Sequence, residues 1–240
     1  MMILDIPKPS HVLKIAPILW VERILCAITT ISGIYAIVSF KMSLLSDQVN
    51  QKEIDVIIRE LDRVISKGVP GDVVEFGCYV GTTSVYIAQV LAAREGRQFY
   101  AYDSFAGLPE KTNQDISPLG ESFKPGELLA SKKQFLRNMM QAGVPVPHIK
   151  KAWFSDLTAD DVPKSVVFAY LDGDYYQSVL DPLKLLEKVL TPGATIVVDD
   201  YSNPALPGVA KAVDEWLLKH PAQLKVEQSL AIIYSHPKTK

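Results

Sequence analysis

The residues best suited to chemistry are acidic, and they stand directly after apolar runs. Asp103 follows Gln98 to Tyr102, Asp172 and Asp174 follow Val166 to Leu171, and Asp199-Asp200 follows Ala194 to Val198. Neighbouring ends of parallel strands lie roughly 4.8 Å apart, so Asp172, Asp199 and Asp200 are expected to converge. Uncompensated carboxylates at one point repel and raise one another's pKa. A hard divalent cation held by oxygen resolves the conflict, with magnesium the default, and these three residues are its expected ligands. Asp172 and Asp199 are the expected catalytic residues, because such an ion binds a substrate hydroxyl, lowers its pKa and orients the oxygen as a nucleophile. The competing local role is capping of the turns that follow.

A second constellation precedes them. Val74-Glu75-Phe76-Gly77-Cys78-Tyr79-Val80-Gly81 ends one apolar run and opens the next helical pattern. Gly77 permits a positive φ and close approach of a ligand to the backbone. The helix opening at Gly81 offers free amides to an anion such as a carboxylate. The dinucleotide fingerprint G-x-G-x-x-G lacks its second glycine here, which disfavours a pyrophosphate. Glu75 suits an ammonium or sulfonium and repels phosphate. Asp103, tens of residues after the glycine turn, suits the two hydroxyls of a ribose. Either Asp103 or the adjacent Ser104 also suits a helix N-cap. Cys78 has no evident histidine partner, so a nucleophilic role is not expected.

The elements that must place these residues alternate. Strands are expected at Asp72 to Phe76, Gln98 to Tyr102, Ile149 to Phe154, Val166 to Leu171 and Ala194 to Val198. Leu224 to Val226 and Ala231 to Tyr234 are expected as a closing hairpin. Helices are expected at Thr82 to Arg94, Leu128 to Ala142, Ser178 to Leu190 and Gly208 to His220. Ile54, Ile57, Ile58, Leu61, Val64 and Ile65 recur at helical spacing in front of them. The pattern predicts an α/β, Rossmann-like fold. Its seven strands form a mainly parallel sheet with an antiparallel closing hairpin, and ligands bind beyond the carboxyl ends of the strands. The Gly- and Pro-punctuated stretch after Asp103, from Glu110 to Gly126 above all, is expected to lid the site of the molecule acted upon.

The ends and the bulk composition set the remaining bounds. Ile24 to Phe40 is an uncharged run of 17 residues, at the lower limit for a membrane span. It reads either as a helix buried against the domain or a partner subunit in a homo-oligomer, or as a membrane anchor. Residues 1–50 are thus expected as an N-terminal apolar helical segment and 51–240 as the catalytic domain. The net charge of −2 offers no field for nucleic acid. Two cysteines, Cys26 and Cys78, are too few for a disulfide framework. A cytoplasmic setting follows, with membrane association through 24–40 as the alternative.

VVEFGCYVGTTS, YDSFAGLPE, YLDGDYYQS and PGATIVVDDYSNPALPGVAKAVDEW together resemble the macrocin O-methyltransferase (TylF-type) group of class I S-adenosylmethionine-dependent methyltransferases, over roughly Gly71 to Leu218. The resemblance implies a class I methyltransferase fold, S-adenosylmethionine and Mg2+ as cofactors, and a small-molecule hydroxyl, typically of a sugar or glycoside, as acceptor. It places Glu75, Gly77 and Gly81 at the methionine end of the cofactor and Asp103 at the ribose. Cys78, Tyr79 and Ser104 of the same two loops join the cofactor site, and Asp156 falls where such enzymes contact the adenine ring. Asp172, Asp199 and Asp200 match the metal positions. Asp172-Gly173-Asp174 raises two competitors, a metal-dependent phosphatase and a D-x-D nucleotide-sugar glycosyltransferase. Neither explains Glu75 with Gly77 and Gly81 or the second acidic pair. A non-catalytic membrane-tethered binding module is a further alternative, against which the intact acidic positions argue.

Overall fold

The computed structural model describes residues 44–94, 96–120 and 123–235, and the apolar run 24–40 lies outside them. Chain order is α1 (Gln51–Ser66), β1 (Asp72–Phe76), α2 (Thr82–Ala92), β2 (Phe99–Asp103), α3 (Lys132–Ala142), β3 (His148–Lys151), β4 (Val166–Leu171), α4 (Tyr176–Leu186), β5 (Leu190–Val198), α5 (Pro207–Lys219), β6 (Gln223–Glu227) and β7 (Leu230–Tyr234). The described strands make one sheet in the order β3-β2-β1-β4-β5-β7-β6. β1 to β5 run parallel, whereas β7 pairs antiparallel with both β5 and β6.

Successive strand side chains point to opposite faces, and the sequence supplies apolar residues for both. Val74, Phe76, Ala169, Leu171, Ile196 and Val198 pack with Val179, Leu183, Val209 and Val213 of α4 and α5. Val73, Ala101, Phe168, Tyr170 and Val197 pack on the other face with Ile57 and Leu61 of α1, Ile87 of α2 and Phe135 of α3. All six residues of β4 are buried, as an unbroken apolar strand requires.

Several boundaries differ from the sequence pattern, each for a local reason. α3 begins at Lys132 because the Ser131 side chain accepts from the Gln134 amide at 3.1 Å and caps it there. β5 begins at Leu190, ahead of Thr191-Pro192-Gly193. Its register runs from Val166↔Leu190 to Phe168↔Thr195, so the Pro-Gly stretch is carried as a bulge. β3 stops at Lys151, and Phe154–Asp156 forms a 3-10 turn.

Residues 44–50 pack on the domain rather than apart from it. Val49 joins Ile54 and Tyr86 in a small apolar cluster, and the Ser46 hydroxyl lies 3.0 Å from that of Thr82. Asn50 caps α1 in a reciprocal box: its side chain accepts from the Lys52 and Glu53 amides, and Glu53 accepts from the Asn50 amide at 2.9 Å. No helix among the described residues is long and apolar enough to cross a membrane.

Candidate functional site

The loops after β1, β2, β4 and β5 surround one cleft. Gly77 has φ +87°, and a Cβ there would overlap the carbonyl oxygen of Asp172, so the β1 and β4 ends meet at a position open only to glycine. Gly81 takes φ +94° at the N-cap of α2, with room beside it limited by the Phe135 ring at 3.1 Å. Asp103 organises this turn. One carboxylate oxygen accepts from the Cys78 and Tyr79 amides, both at 2.9 Å, and the other accepts from the Phe105 amide at 2.6 Å. Gly77, Tyr79, Asp103 and Ser104 line the cleft.

Glu75 and Cys78 are placed differently from the expectation. Glu75 is wholly buried beneath the turn, accepts from the Ser84 hydroxyl, and has no partner for its other oxygen, Oε1, among the described residues. Burial pushes its carboxyl up to about 8, against the pull of the Ser84 hydrogen bond. The Cys78 side chain is also buried, and burial first, then the Asp103 charge, pushes its thiol well up. Its contribution to the site is its backbone amide.

On the β4–β5 side, carboxylate oxygens of Asp172, Asp174 and Asp200 lie within 4.8 Å of one another. Desolvation raises all three, and the charges of Asp199, Asp174 and Asp200 push Asp172 up further. An oxygen-only set of mutually repelling carboxylates fits a hard divalent cation. Asp199, expected in this cluster, is buried beside it and is not among the three residues whose oxygens converge within 4.8 Å. One oxygen accepts from the Tyr170 hydroxyl at 2.5 Å, and the other from the Asp200 amide at 2.8 Å and Ser229 Oγ at 3.2 Å. Burial and then the Asp200 charge raise Asp199 to about 7, against the pull of the Tyr170 hydrogen bond. Asp174 joins Asp172 and Asp200 in the cluster, reached through a left-handed φ of +60°; Asp200 has φ +57°.

The walls come from elements with weak sequence signals. Ala152, Trp153 and Phe154 line the cleft, whereas Asp156, two residues on, is exposed and does not. The loop after β2 is closed at its base by Leu108, whose amide donates to Glu127 O at 2.9 Å and whose carbonyl accepts from Gly126 at 2.8 Å. Its tip is pinned by buried Asp115, which accepts from Thr112 N at 2.8 Å, Thr112 Oγ1 at 2.7 Å and the Tyr176 amide of α4 at 2.6 Å. Asp115 escapes a sequence reading, although the Thr112-x-x-Asp115 spacing is a capping-box signal. Asp47 and Gln48, ahead of α1, also line the cleft and carry no motif. Five of the seven non-glycine residues described with positive φ, namely Tyr79, Phe123, Leu128, Asp174 and Asp200, border this cleft. Such concentration of costly backbone marks a functional site.

Strand order, antiparallel β7, the glycine turn after β1 and the acidic end of β2 define a class I methyltransferase fold. The chain belongs to the Macrocin-O-methyltransferase (TylF) family, whose model matches residues 45–232. It is 30% identical over 165 residues to 8-demethyl-8-(2,3-dimethoxy-alpha-L-rhamnosyl)-tetracenomycin-C 4'-O-methyltransferase of Streptomyces olivaceus, spanning 65% of this chain and 63% of that enzyme. The structure of the O-methyltransferase NovP superposes with a TM-score of 0.68 at 24% identity, covering 77% of this chain and 80% of that one. The O-methyltransferase from Bacillus cereus in complex with SAH superposes with a TM-score of 0.52 at 14% identity, covering 80% and 84%.

Proposed function

We propose that this chain is a magnesium-dependent O-methyltransferase that moves a methyl group from S-adenosylmethionine to a hydroxyl of a small molecule, a sugar or natural-product glycoside. The observation that carries the reading is the presence, in one cleft, of the Asp103-pinned glycine turn and the Asp172, Asp174, Asp200 cluster. The sugar acceptor is supported by the name of the Streptomyces olivaceus relative, and the cofactor by the SAH complex of the Bacillus cereus enzyme.

In this reading the amides and close-approach glycines of the first turn receive the methionine end of the cofactor. Asp103, with capacity left on its Phe105-bonded oxygen, accepts from the ribose. Ala152, Trp153 and Phe154 flank the adenine, in place of Asp156. Asp172, Asp174 and Asp200 hold Mg2+, and Asp199 supplies further negative charge from beside them. When bound, the ion would bind the acceptor hydroxyl and lower its pKa. The acceptor oxygen bonds to the methyl carbon as the carbon–sulfur bond breaks and its electron pair returns to sulfur, leaving S-adenosylhomocysteine. The hydroxyl proton passes to water or to a carboxylate of the acidic cluster. Acceleration comes mainly from holding oxygen, methyl and sulfur in line, with the loop pinned by Asp115 helping to exclude water.

A thermal-shift titration of the full chain tests this. S-adenosylhomocysteine and Mg2+ should each stabilise it, by about 2.7 kcal/mol for a ligand at 100 times its Kd, and UDP should not. Stabilisation by UDP with a divalent ion, and none by S-adenosylhomocysteine, would replace this reading with a nucleotide-sugar transferase.

A further inference from the structure

Tyr170 interrupts an otherwise aliphatic and aromatic core strand with a hydroxyl, and the whole side chain is buried. The hydroxyl meets two carboxylates: it donates to Asp199 Oδ2 at 2.5 Å and lies 3.4 Å from Asp172 Oδ2. A phenol has one proton to give, and the shorter contact takes it. The other oxygen of Asp199 has two neighbours of unequal value. The Asp200 amide is fixed by the backbone, whereas Ser229 Oγ is 2.7 Å from Glu53 Oε1 and 3.2 Å from Asp199 Oδ1. Ser229 also has a single proton, and Glu53 is the nearer acceptor. Tyr170 is therefore the side chain that fixes the plane of the Asp199 carboxylate.

We propose that Tyr170 is a positioning residue of the divalent-cation site, its hydroxyl holding the Asp199 carboxylate against Asp172 and Asp200 so that a fourth negative charge reaches the cation. The inference rests on the metal reading above. Groups that orient carboxylates from behind a metal site are typically worth about tenfold to a hundredfold in affinity. Ser229, whose proton is contested, contributes less.

Calorimetric titration of Mg2+ and, separately, of S-adenosylhomocysteine into the full-length wild type, Tyr170→Phe and Ser229→Ala tests it. Tyr170→Phe should weaken Mg2+ about tenfold or more with the S-adenosylhomocysteine Kd unchanged, and Ser229→Ala should weaken Mg2+ by less. A general packing defect would move both ligands together and overturn the proposal, as would wild-type Mg2+ affinity in Tyr170→Phe. Should that variant fail to fold, Asp199→Asn takes its place, since it keeps an acceptor for the hydroxyl and removes the charge. Unchanged Mg2+ binding there overturns the proposal, and weakened binding supports its requirement that the Asp199 charge reach the cation. Absence of Mg2+ binding in the wild type overturns the metal reading together with this one, whereas equal binding in wild type and Tyr170→Phe overturns this one alone.

Discussion

Asp103 and Asp172 stand at equivalent places, the ends of β2 and β4 on either side of β1, yet their surroundings differ in kind. Asp103 receives three backbone N–H donors from the turns around it. Asp172 faces Asp174 and Asp200 within 4.8 Å, and burial first, then the charges of Asp199, Asp174 and Asp200, drives it upward. Amides that converge on a carboxylate satisfy its charge inside the protein, leaving an acceptor for neutral hydroxyls. Carboxylates that converge on one another leave a charge deficit that a cation corrects. One residue type thus serves two ligand chemistries, and the donors supplied by the adjoining loop decide which.

The largest test of this comparison acts where the two regions touch. Gly77→Ala puts a methyl group on the Asp172 carbonyl oxygen at φ +87°, straining both strand ends together. It should cost about 3 kcal/mol or more, a fall of roughly 6–12 °C in Tm by calorimetry. A near-wild-type Tm would show that the two ends are not locked to one another.

A reciprocal pair comes next. Asp103→Asn presents an amide N–H to backbone donors and should weaken S-adenosylhomocysteine about tenfold, with Mg2+ affinity kept. Asp172→Asn should weaken Mg2+ about tenfold or more, with S-adenosylhomocysteine affinity kept. Loss of both ligands in either variant would break the division of labour.

The remaining test is in pH. The carboxyls of Glu75 and Asp199 are raised to about 8 and about 7 from ordinary values of 4.5 and 3.8. The folded state therefore binds more protons than the unfolded state between these limits. Stability from this source is fully present below about pH 4 and is lost as pH rises toward 8. Without Mg2+, Tm should fall steadily as pH rises from 5 to 8. Saturating Mg2+ should flatten the part due to the acidic cluster, and Glu75→Gln the part due to the buried turn. A profile that rises over this range would contradict the burial of both groups.

Much of the fold was legible. β1 and β4 coincide with their apolar runs, because a strand buried on both faces has a pattern that side-chain chemistry alone enforces. β3 was harder to bound, since the exposed edge strand His148–Lys151 carries charged residues and little apolar signal. At the site, Asp172 and Asp200 were found by their position after strands. Asp199 also lies at a strand end, but a strand end places a Cα without choosing which donors its side chain meets. Tyr170 and Ser229, brought from β4 and the β6–β7 turn, made that choice. Asp115 was hidden for the same reason, since its partner Tyr176 is 61 residues away.

Sequence by itself determined the alternation of strands and helices, the conformational freedom available at Gly77 and the crowd of acidic residues at the carboxyl ends of the strands. These follow from periodicity and from conformations that few residue types adopt, both local properties. Tertiary structure alone decided that Glu75 lies under the turn, that Asp174 joins the cluster beside Asp199, and that Trp153 and Phe154 rather than Asp156 border the cleft. Burial and hydrogen-bond supply are set by neighbours distant in the chain, and they determine whether a carboxyl carries charge and what it faces.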